Sequence, residues 1–296
     1  MDYDRYVNVE VNIAKVRISF QVRETMTSVE EKLLILRQYI ADNGPMIISF
    51  SGGVDSGVLA AVAHDSAGGR AICVLLSSPL IPQREISGAV HMAETIGIEC
   101  RIIPFPILSD PTFCSNPPER CYSCKKKAAV ILKEYAAKHG YASVADGLNT
   151  SDSGEYRPGI QASDEEGILH PYLVAGISKE EIREIAQKLN LYFSAKPSSA
   201  CLASRIPYDE VITPEKLAMT EQAEDALWSA GLTRFRVRSH GTIARIELLP
   251  GEMERAMQKR DWIVRKLKDA GFLYITLDLE GFRSGSMDEI LKREQT

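Results

Sequence analysis

The chain lacks any apolar run of about 18 residues, which excludes a membrane-spanning helix. Its opening residues, Met1-Asp2-Tyr3-Asp4-Arg5, lack the apolar core of a signal peptide, so the chain reads as cytoplasmic. An excess of positive charge is lacking, with 35 Lys and Arg against 40 Asp and Glu. The formal net charge of −5 argues against a protein that grips long nucleic acid through bulk charge, although a local basic groove is compatible with it. No G-x-x-x-x-G-K-[ST] stretch is present, so the P-loop of kinases and GTPases is excluded. No internal repeat or low-complexity tract is visible. The five histidines are scattered and read as structural or surface residues. Cysteines number six, and in a cytoplasmic chain they read as thiols or ligands rather than disulfides.

What the chain does have is Ser51-Gly52-Gly53-Val54-Asp55-Ser56. It follows the apolar run 46–50, which reads as a buried strand, and precedes 57–64, which reads as a packed helix. A glycine-rich turn there presents unpaired N–H groups at the positive end of the helix dipole, a ready anion site. Gly52 and Gly53 let the backbone approach a ligand, and the two serine hydroxyls add donors. The motif resembles the S-G-G-x-D-S signature of the PP-loop ATP pyrophosphatases, which implies ATP binding and AMP transfer to a substrate oxygen with release of pyrophosphate.

Around this motif, strands and helices alternate. Ser28 is a candidate N-cap, with Glu31 three residues on, for a helix over 28–41. Strands are expected at 71–77, 99–104 and 142–146, and helices at 83–96 and 122–139. Near-continuous apolar strands alternating with helices predict an α/β fold, a parallel sheet with helices on both faces. Ligands of such sheets sit at the carboxyl ends of the strands. The glycine turn, the loop 105–120 and Asp146-Gly147 all fall at those ends. Residues 149–170 are polar and poorly periodic, and read as a mobile loop. Ser178 and Glu181 open a helix to about 191 through a capping box.

The remainder has a different rhythm. A helix from Thr213-Pro214 to Gly231, strands at 234–240 and 242–249, a helix over 252–270 and a strand at 272–280 suggest a small α+β unit with an antiparallel sheet and two helices on one face. At the amino end, 6–13 alternates with period two, as a short strand does, or belongs to a disordered extension.

Cys73 and Cys100 lie in strand-like runs and read as core. Cys121-Tyr122-Ser123-Cys124 has C-x-x-C spacing at a helix start, followed by Lys125, Lys126 and Lys127, a setting that favours thiolates. Cys201 lies in a stretch without core periodicity. Three grouped thiols are one short of a structural zinc site and suit a 4Fe-4S cluster with one open iron, with Cys114 as a possible fourth ligand. Arg234, Arg236 and Arg238 alternate with Phe235 and Val237, so on a strand the guanidinium groups share one face. They suit a phosphate, or else form a solvated sheet face.

Taken together, these stretches resemble the LarE family, PP-loop sulfur-inserting enzymes of nickel-pincer cofactor biosynthesis. The likeness rests on 49–56, on Asn116-Pro117-Pro118-Glu119-Arg120-Cys121-Tyr122-Ser123-Cys124-Lys125, on Asp146-Gly147-Leu148-Asn149 with Asp152 and Arg157-Pro158-Gly159, on the Cys201 segment and on 277–286. It covers about 25–288. Asp209 departs from it, standing where Gly is expected after Pro207-Tyr208. The resemblance implies an extension over 1–25, a PP-loop (adenine nucleotide alpha hydrolase-like) domain over 26–207, and a C-terminal substrate and oligomerisation domain over 208–296.

It also implies a function: ATP-dependent sulfur transfer to a carboxylate of a pyridinium dicarboxylate mononucleotide. Ser51, Gly52, Gly53, Asp55, Ser56, Asp146 and Gly147 would hold ATP, with Asp55 positioning pyrophosphate through Mg2+. Asn149, Asp152, Arg157, Glu224, Arg236 and Arg238 would hold substrate. Cys121, Cys124 and Cys201 would bind a 4Fe-4S cluster carrying sulfide from a sulfide donor, and Arg205 would neutralise cluster or substrate. A homo-oligomer is expected. Competing readings are a tRNA thiolase, sacrificial donation of the Cys201 sulfur, a nitrogen-transferring synthetase and a non-enzymatic nucleotide- or cluster-binding regulator.

Overall fold

In a computed structural model of the chain, residues 6–13, 16–23, 28–152, 158–197, 199–283 and 286 are described. The amino end forms a hairpin, β1 (Tyr6–Ile13) and β2 (Val16–Arg23), antiparallel with Ile13 opposite Val16. Of the two readings of 6–13, the strand is the one realised.

Helix α1 (Val29–Asn43) starts at the expected capping box. The Ser28 hydroxyl accepts from the Glu31 N–H at 3.3 Å, and the Glu31 carboxylate accepts from the Ser28 N–H at 3.0 Å. There follow β3 (Met46–Ser49), α2 (Val54–Ser66), β4 (Ala71–Ser77), α3 (Gln83–Ile96), β5 (Cys100–Pro104), the short α4 (Pro111–Cys114), α5 (Arg120–His139) and β6 (Ser143–Ala145). The strands form a parallel sheet in the order β5-β4-β3-β6. The chain runs outward from β3 through β4 to β5 and then returns to the other side of β3. The order therefore reverses between β3 and β6, and the crevice beyond their carboxyl ends is where a ligand of such a sheet sits. Helix α2 is buried from Val54 to Ala63 apart from Asp55, which explains its near-continuous apolar sequence.

The polar stretch 149–170 is not all loop. Helix α6 (Pro158–Glu165) packs on α5 and buries Ala162 and Ser163. Two small buried residues leave little periodic signal, although Pro158 suits a first helical turn. Next come α7 (Pro171–Val174) and α8 (Lys179–Lys188), the latter opened by the Ser178 capping box.

The last part has its own apolar core, including Leu227, Val237, Ile246, Leu267 and Phe272. It comprises α9 (Pro214–Ser229), β7 (Phe235–His240), β8 (Ile243–Leu248), α10 (Pro250–Gln258), α11 (Arg260–Asp269) and β9 (Tyr274–Leu277). The expected antiparallel sheet is mixed. β7 and β8 are antiparallel, but β8 and β9 are parallel. A helical crossover returns the chain in the same direction, as in any βαβ unit. The expected helix over 252–270 is divided at Lys259 into α10 and α11.

Candidate active site

The turn after β3 is held in shape by its own hydroxyls. Ser51 Oγ lies 3.0 Å from Ser56 Oγ and accepts from the Gly53 N–H at 3.3 Å, and Ser56 Oγ donates to the Gly53 carbonyl at 3.3 Å. Gly52 has φ 69°, and a Cβ there would lie 2.5 Å from Ala89 Cβ, so only glycine fits. Gly53 is the N-cap of α2 and offers no side-chain cap, which leaves the first N–H groups of a buried helix for a ligand. Gly147 follows β6 closely against this turn: a Cβ there would stand 3.0 Å from Ser56 N and 3.1 Å from the Asp55 carbonyl carbon.

Asp55 sits in the first turn of α2. Burial pushes its carboxyl above the ordinary range, and Asp152 adds to this while Lys179 and Arg183 oppose it. Asn149, fully buried, points Nδ2 at Asp55 Oδ2 at 3.5 Å, and its N–H donates to Asp152 at 3.3 Å. Tyr172, also fully buried, donates to the Asp55 main-chain carbonyl at 2.8 Å. Asp55, Asn149 and Asp152 thus form one group, which puts two of the expected substrate residues at the glycine turn. Arg157 lies outside the described residues.

Asp146 is bound by a histidine that its isolated sequence position did not reveal. His170 Nδ1 lies 2.7 Å from Asp146 Oδ1, and its Nε2 lies 2.9 Å from Asp164 of α6. Burial alone would lower the His170 pKa. The hydrogen bond and charge of Asp146, with Asp164, outweigh burial and hold it above its ordinary value. A histidine raised on folding contributes stability that is fully present below its unfolded pKa of about 6.5 and is lost as pH rises through the folded pKa. His170→Asn is therefore expected to lower the denaturation midpoint most below the unfolded value of about pH 6.5 and progressively less as pH rises above it. A deficit that does not change with pH would contradict the charged imidazole.

The segment 196–205 links the glycine turn to the C-terminal unit. At one end Lys196 Nζ donates to the Gly52 carbonyl at 2.9 Å. At the other, Arg205 is buried and bonds both oxygens of buried Glu224, at 2.7 and 3.2 Å. Cys201 lies exposed between these anchors. Cys121 is exposed on the first turn of α5, and Cys124 is half-buried one turn later, in an apolar cluster with Leu202 and Ala203. Burial pushes the Cys124 thiol up to about 12, Cys201 and Cys121 push the same way, and Lys125 and Arg120 oppose them. Cys124 is therefore within electrostatic reach of both Cys121 and Cys201.

Among the described residues, no group of three or more His, Cys, Asp or Glu side chains is arranged to hold a metal ion. Thiolates are soft donors and carboxylates hard ones. Cys114 faces elsewhere, with its thiol donating to the Leu108 carbonyl at 3.3 Å. Cys73 is fully buried and its thiol is raised by burial, as a core residue should be, while Cys100 is half-buried.

Asn116 and Tyr208 join the C-x-x-C loop to the Cys201 segment. Asn116, fully buried with φ 61°, donates to the Pro207 carbonyl at 2.6 Å, and the Asp209 N–H returns to the Asn116 carbonyl at 3.1 Å. The guanidinium of Arg120 lies 4.4 Å from the Tyr208 ring centroid. Asp209 itself has φ 63°, the left-handed region that favours glycine and that Asp tolerates, so the departure from the expected Gly keeps the backbone path.

The arginine stripe is not a solvated face. Phe235 and Val237 are buried as expected, but so is Arg238, which pairs with fully buried Glu247 through two 3.0 Å bonds. Arg238 also donates to the Ser204 carbonyl, tying β7 to the cysteine segment. Arg234 precedes β7, with its guanidinium 5.2 Å from the Phe282 ring centroid. Arg236 is half-buried, 4.6 Å from the same centroid, and donates to the Arg283 carbonyl at 3.5 Å. Burial, then the neighbouring charges of Arg238 and Arg205, push its pKa down to about 10. The local field at Arg236 therefore favours an anion.

Lys125, with Ser49 and Asp146, lines a narrow cleft at the carboxyl end of the sheet. A shallow depression of about 550 Å³ lined by Ser229, Lys259, Asp261 and Trp262 holds none of these groups.

No protein-family model matches the chain. Curated proteins do. The chain is 34% identical over 271 residues to the pyridinium-3,5-bisthiocarboxylic acid mononucleotide synthase of Lactiplantibacillus plantarum, covering 91% of this chain and 98% of that protein. It is 40% identical over 266 residues to an uncharacterized protein of Synechocystis sp., covering 89% and 99%. A more distant similarity, 25% over 210 residues, joins it to one of the subunits of the glutamine-hydrolyzing GMP synthase of Methanosarcina barkeri, covering 65% and 67%.

Proposed function

The chain belongs to the LarE family, that of the pyridinium-3,5-bisthiocarboxylic acid mononucleotide synthase, and on that premise we propose that it is an ATP-dependent sulfur transferase acting on a pyridinium dicarboxylate mononucleotide. One observation supports this reading beyond the likeness. The Cys201 segment is tied at one end to the glycine turn, through Lys196 and the Gly52 carbonyl, and at the other to Glu224 through Arg205, as an enzyme that carries sulfur between ATP and a nucleotide substrate would need.

The chemistry follows from the weak electrophilicity of a carboxylate. A substrate carboxylate oxygen attacks the α-phosphorus of ATP, the bond to the β-phosphate oxygen breaks, and pyrophosphate leaves. A sulfide nucleophile then adds to the acyl carbon, and AMP departs with the former carboxylate oxygen, leaving a thiocarboxylate. The turn N–H groups and the α2 dipole stabilise phosphate charge in this scheme. Asp55, with Asp152 beside it, would hold Mg2+ against the pyrophosphate. Cys121, Cys124 and Cys201 would hold a 4Fe-4S cluster, which when bound would carry sulfide received from a sulfide donor. Arg205 holds Glu224 in place beside the Cys201 segment, and Arg238 holds Glu247. Arg236 is left to receive the substrate phosphate.

Arg236→Ala is expected to weaken nucleotide-substrate binding by roughly tenfold or more, since charge-assisted contacts of this kind are worth about 1.5–3 kcal/mol, while ATP binding is spared. Equilibrium binding of both ligands checks this. The function itself is tested by product analysis: ATP should yield AMP and pyrophosphate only when the dicarboxylate nucleotide is present. Cleavage to ADP and phosphate, or cleavage indifferent to the substrate, would overturn it.

A further inference from the structure

We propose that Lys196 is a pyrophosphate-binding residue of the nucleotide turn, transferred from Glu85 to the β- and γ-phosphates when ATP arrives. The assignment rests on the ATP-dependent reading above.

The Lys196 ammonium is held at the turn by two contacts, the Gly52 carbonyl at 2.9 Å and Glu85 Oε2, also at 2.9 Å. Neither is an exclusive partner. The carbonyl is neutral, and the pair with Glu85 keeps one-fifth to one-quarter of each side chain open to solvent. A polyanion arriving at the turn therefore reaches the ammonium and can replace the single carboxylate with two or more phosphate charges. A Lys ammonium carries three rotatable donors, and can keep the carbonyl while exchanging the acid for a phosphate oxygen.

The surroundings are built to keep the charge there. Arg183 of α8 donates to the Lys196 carbonyl at 3.2 Å and to the Ser194 carbonyl at 2.6 Å, which fixes the backbone from which the side chain extends. The Lys196 N–H closes a turn onto the Phe193 carbonyl at 2.9 Å. On the other side, Gly52 is pressed against Ala89 of α3, the helix that also carries Glu85. The turn, the acid and the lysine are therefore parts of one packed corner. The α2 N–H groups supply dipoles but no formal cation, and Lys196 supplies one. Because Lys196 begins the segment that carries Cys201, phosphate contact at the turn also fixes one end of the sulfur-bearing segment.

The test is equilibrium binding of ATP and of AMP to the full-length chain and two variants. Lys196→Met is expected to weaken ATP binding roughly tenfold or more and leave AMP binding unchanged, because only ATP has the outer phosphates. Glu85→Gln removes the competitor and is expected to bind ATP as tightly as the unaltered chain or a few times more tightly. A structural ion pair would give a different pattern, with both variants losing ATP binding alike. That pattern, or equal loss of ATP and AMP binding in Lys196→Met, or no loss of ATP binding in it, would overturn the assignment. Failure of the unaltered chain to bind ATP would overturn the adenylating reading and this residue's role with it.

Discussion

Asp55→Asn is expected to reduce substrate-dependent pyrophosphate release by about a hundredfold or more while leaving the fold intact. The substitution is nearly isosteric and keeps a group for Asn149 Nδ2 to approach. The contact that anchors this turn to the core uses the Asp55 main-chain carbonyl, which accepts from Tyr172 and is untouched by the change. What is lost is the charge. The Asp55 carboxyl is raised by burial, so its ionised form is incompletely solvated, and a cation or cationic complex delivered with ATP would relieve that cost. Release measured with saturating substrate, alongside the denaturation midpoint, separates the two effects. Normal release by a folded variant would remove Asp55 from the chemistry, and a collapsed midpoint would make it a structural residue.

Cys201→Ala is expected to abolish sulfur insertion while leaving ATP binding close to normal. Cys201 is exposed at the start of a short 3₁₀ turn over Leu202–Arg205, and its side chain is not part of the apolar core beneath it, so its loss should cost little stability. The same loss of insertion is expected for Cys121→Ala, on the exposed first turn of α5. Cys73→Ser, in the buried sheet, should instead act through stability alone. The sulfur source is read from the intact mass of the unaltered chain after turnover. An unchanged mass with several products per chain supports a carried sulfide. Loss of the elements of hydrogen sulfide at Cys201 would show that its own sulfur was spent and that dehydroalanine was left. Anaerobic protein with zinc and no iron would exclude the iron–sulfur carrier.

The parts of the molecule that are legible in the sequence are those set by local chemistry. The capping boxes at Ser28 and Ser178, the glycine turn and the parallel strands each announce themselves within a few residues. Features set by distant partners are not legible. Alternation places Arg236 and Arg238 on one face but does not tell that Glu247 of the next strand and the Ser204 carbonyl cover Arg238. Lys196 and Gly52 are 144 residues apart in sequence, and no local pattern joins them. His170 looks incidental until the fold brings Asp146 and Asp164 to its two nitrogens. Helix α6 is hidden by its brevity and polarity, and the direction of β9 by a crossover whose two helices read as one.

The adenylation step is tested most directly by following oxygen. With substrate carboxylates carrying heavy oxygen, ATP and sulfide, one labelled oxygen should appear in the phosphate of AMP for each sulfur found in the product, and none in pyrophosphate. This stoichiometry follows because AMP leaves with the oxygen that attacked the α-phosphorus. Unlabelled AMP formed alongside thiolated product, or label recovered in ADP or inorganic phosphate, would contradict an acyl-adenylate and with it the role assigned to the glycine turn.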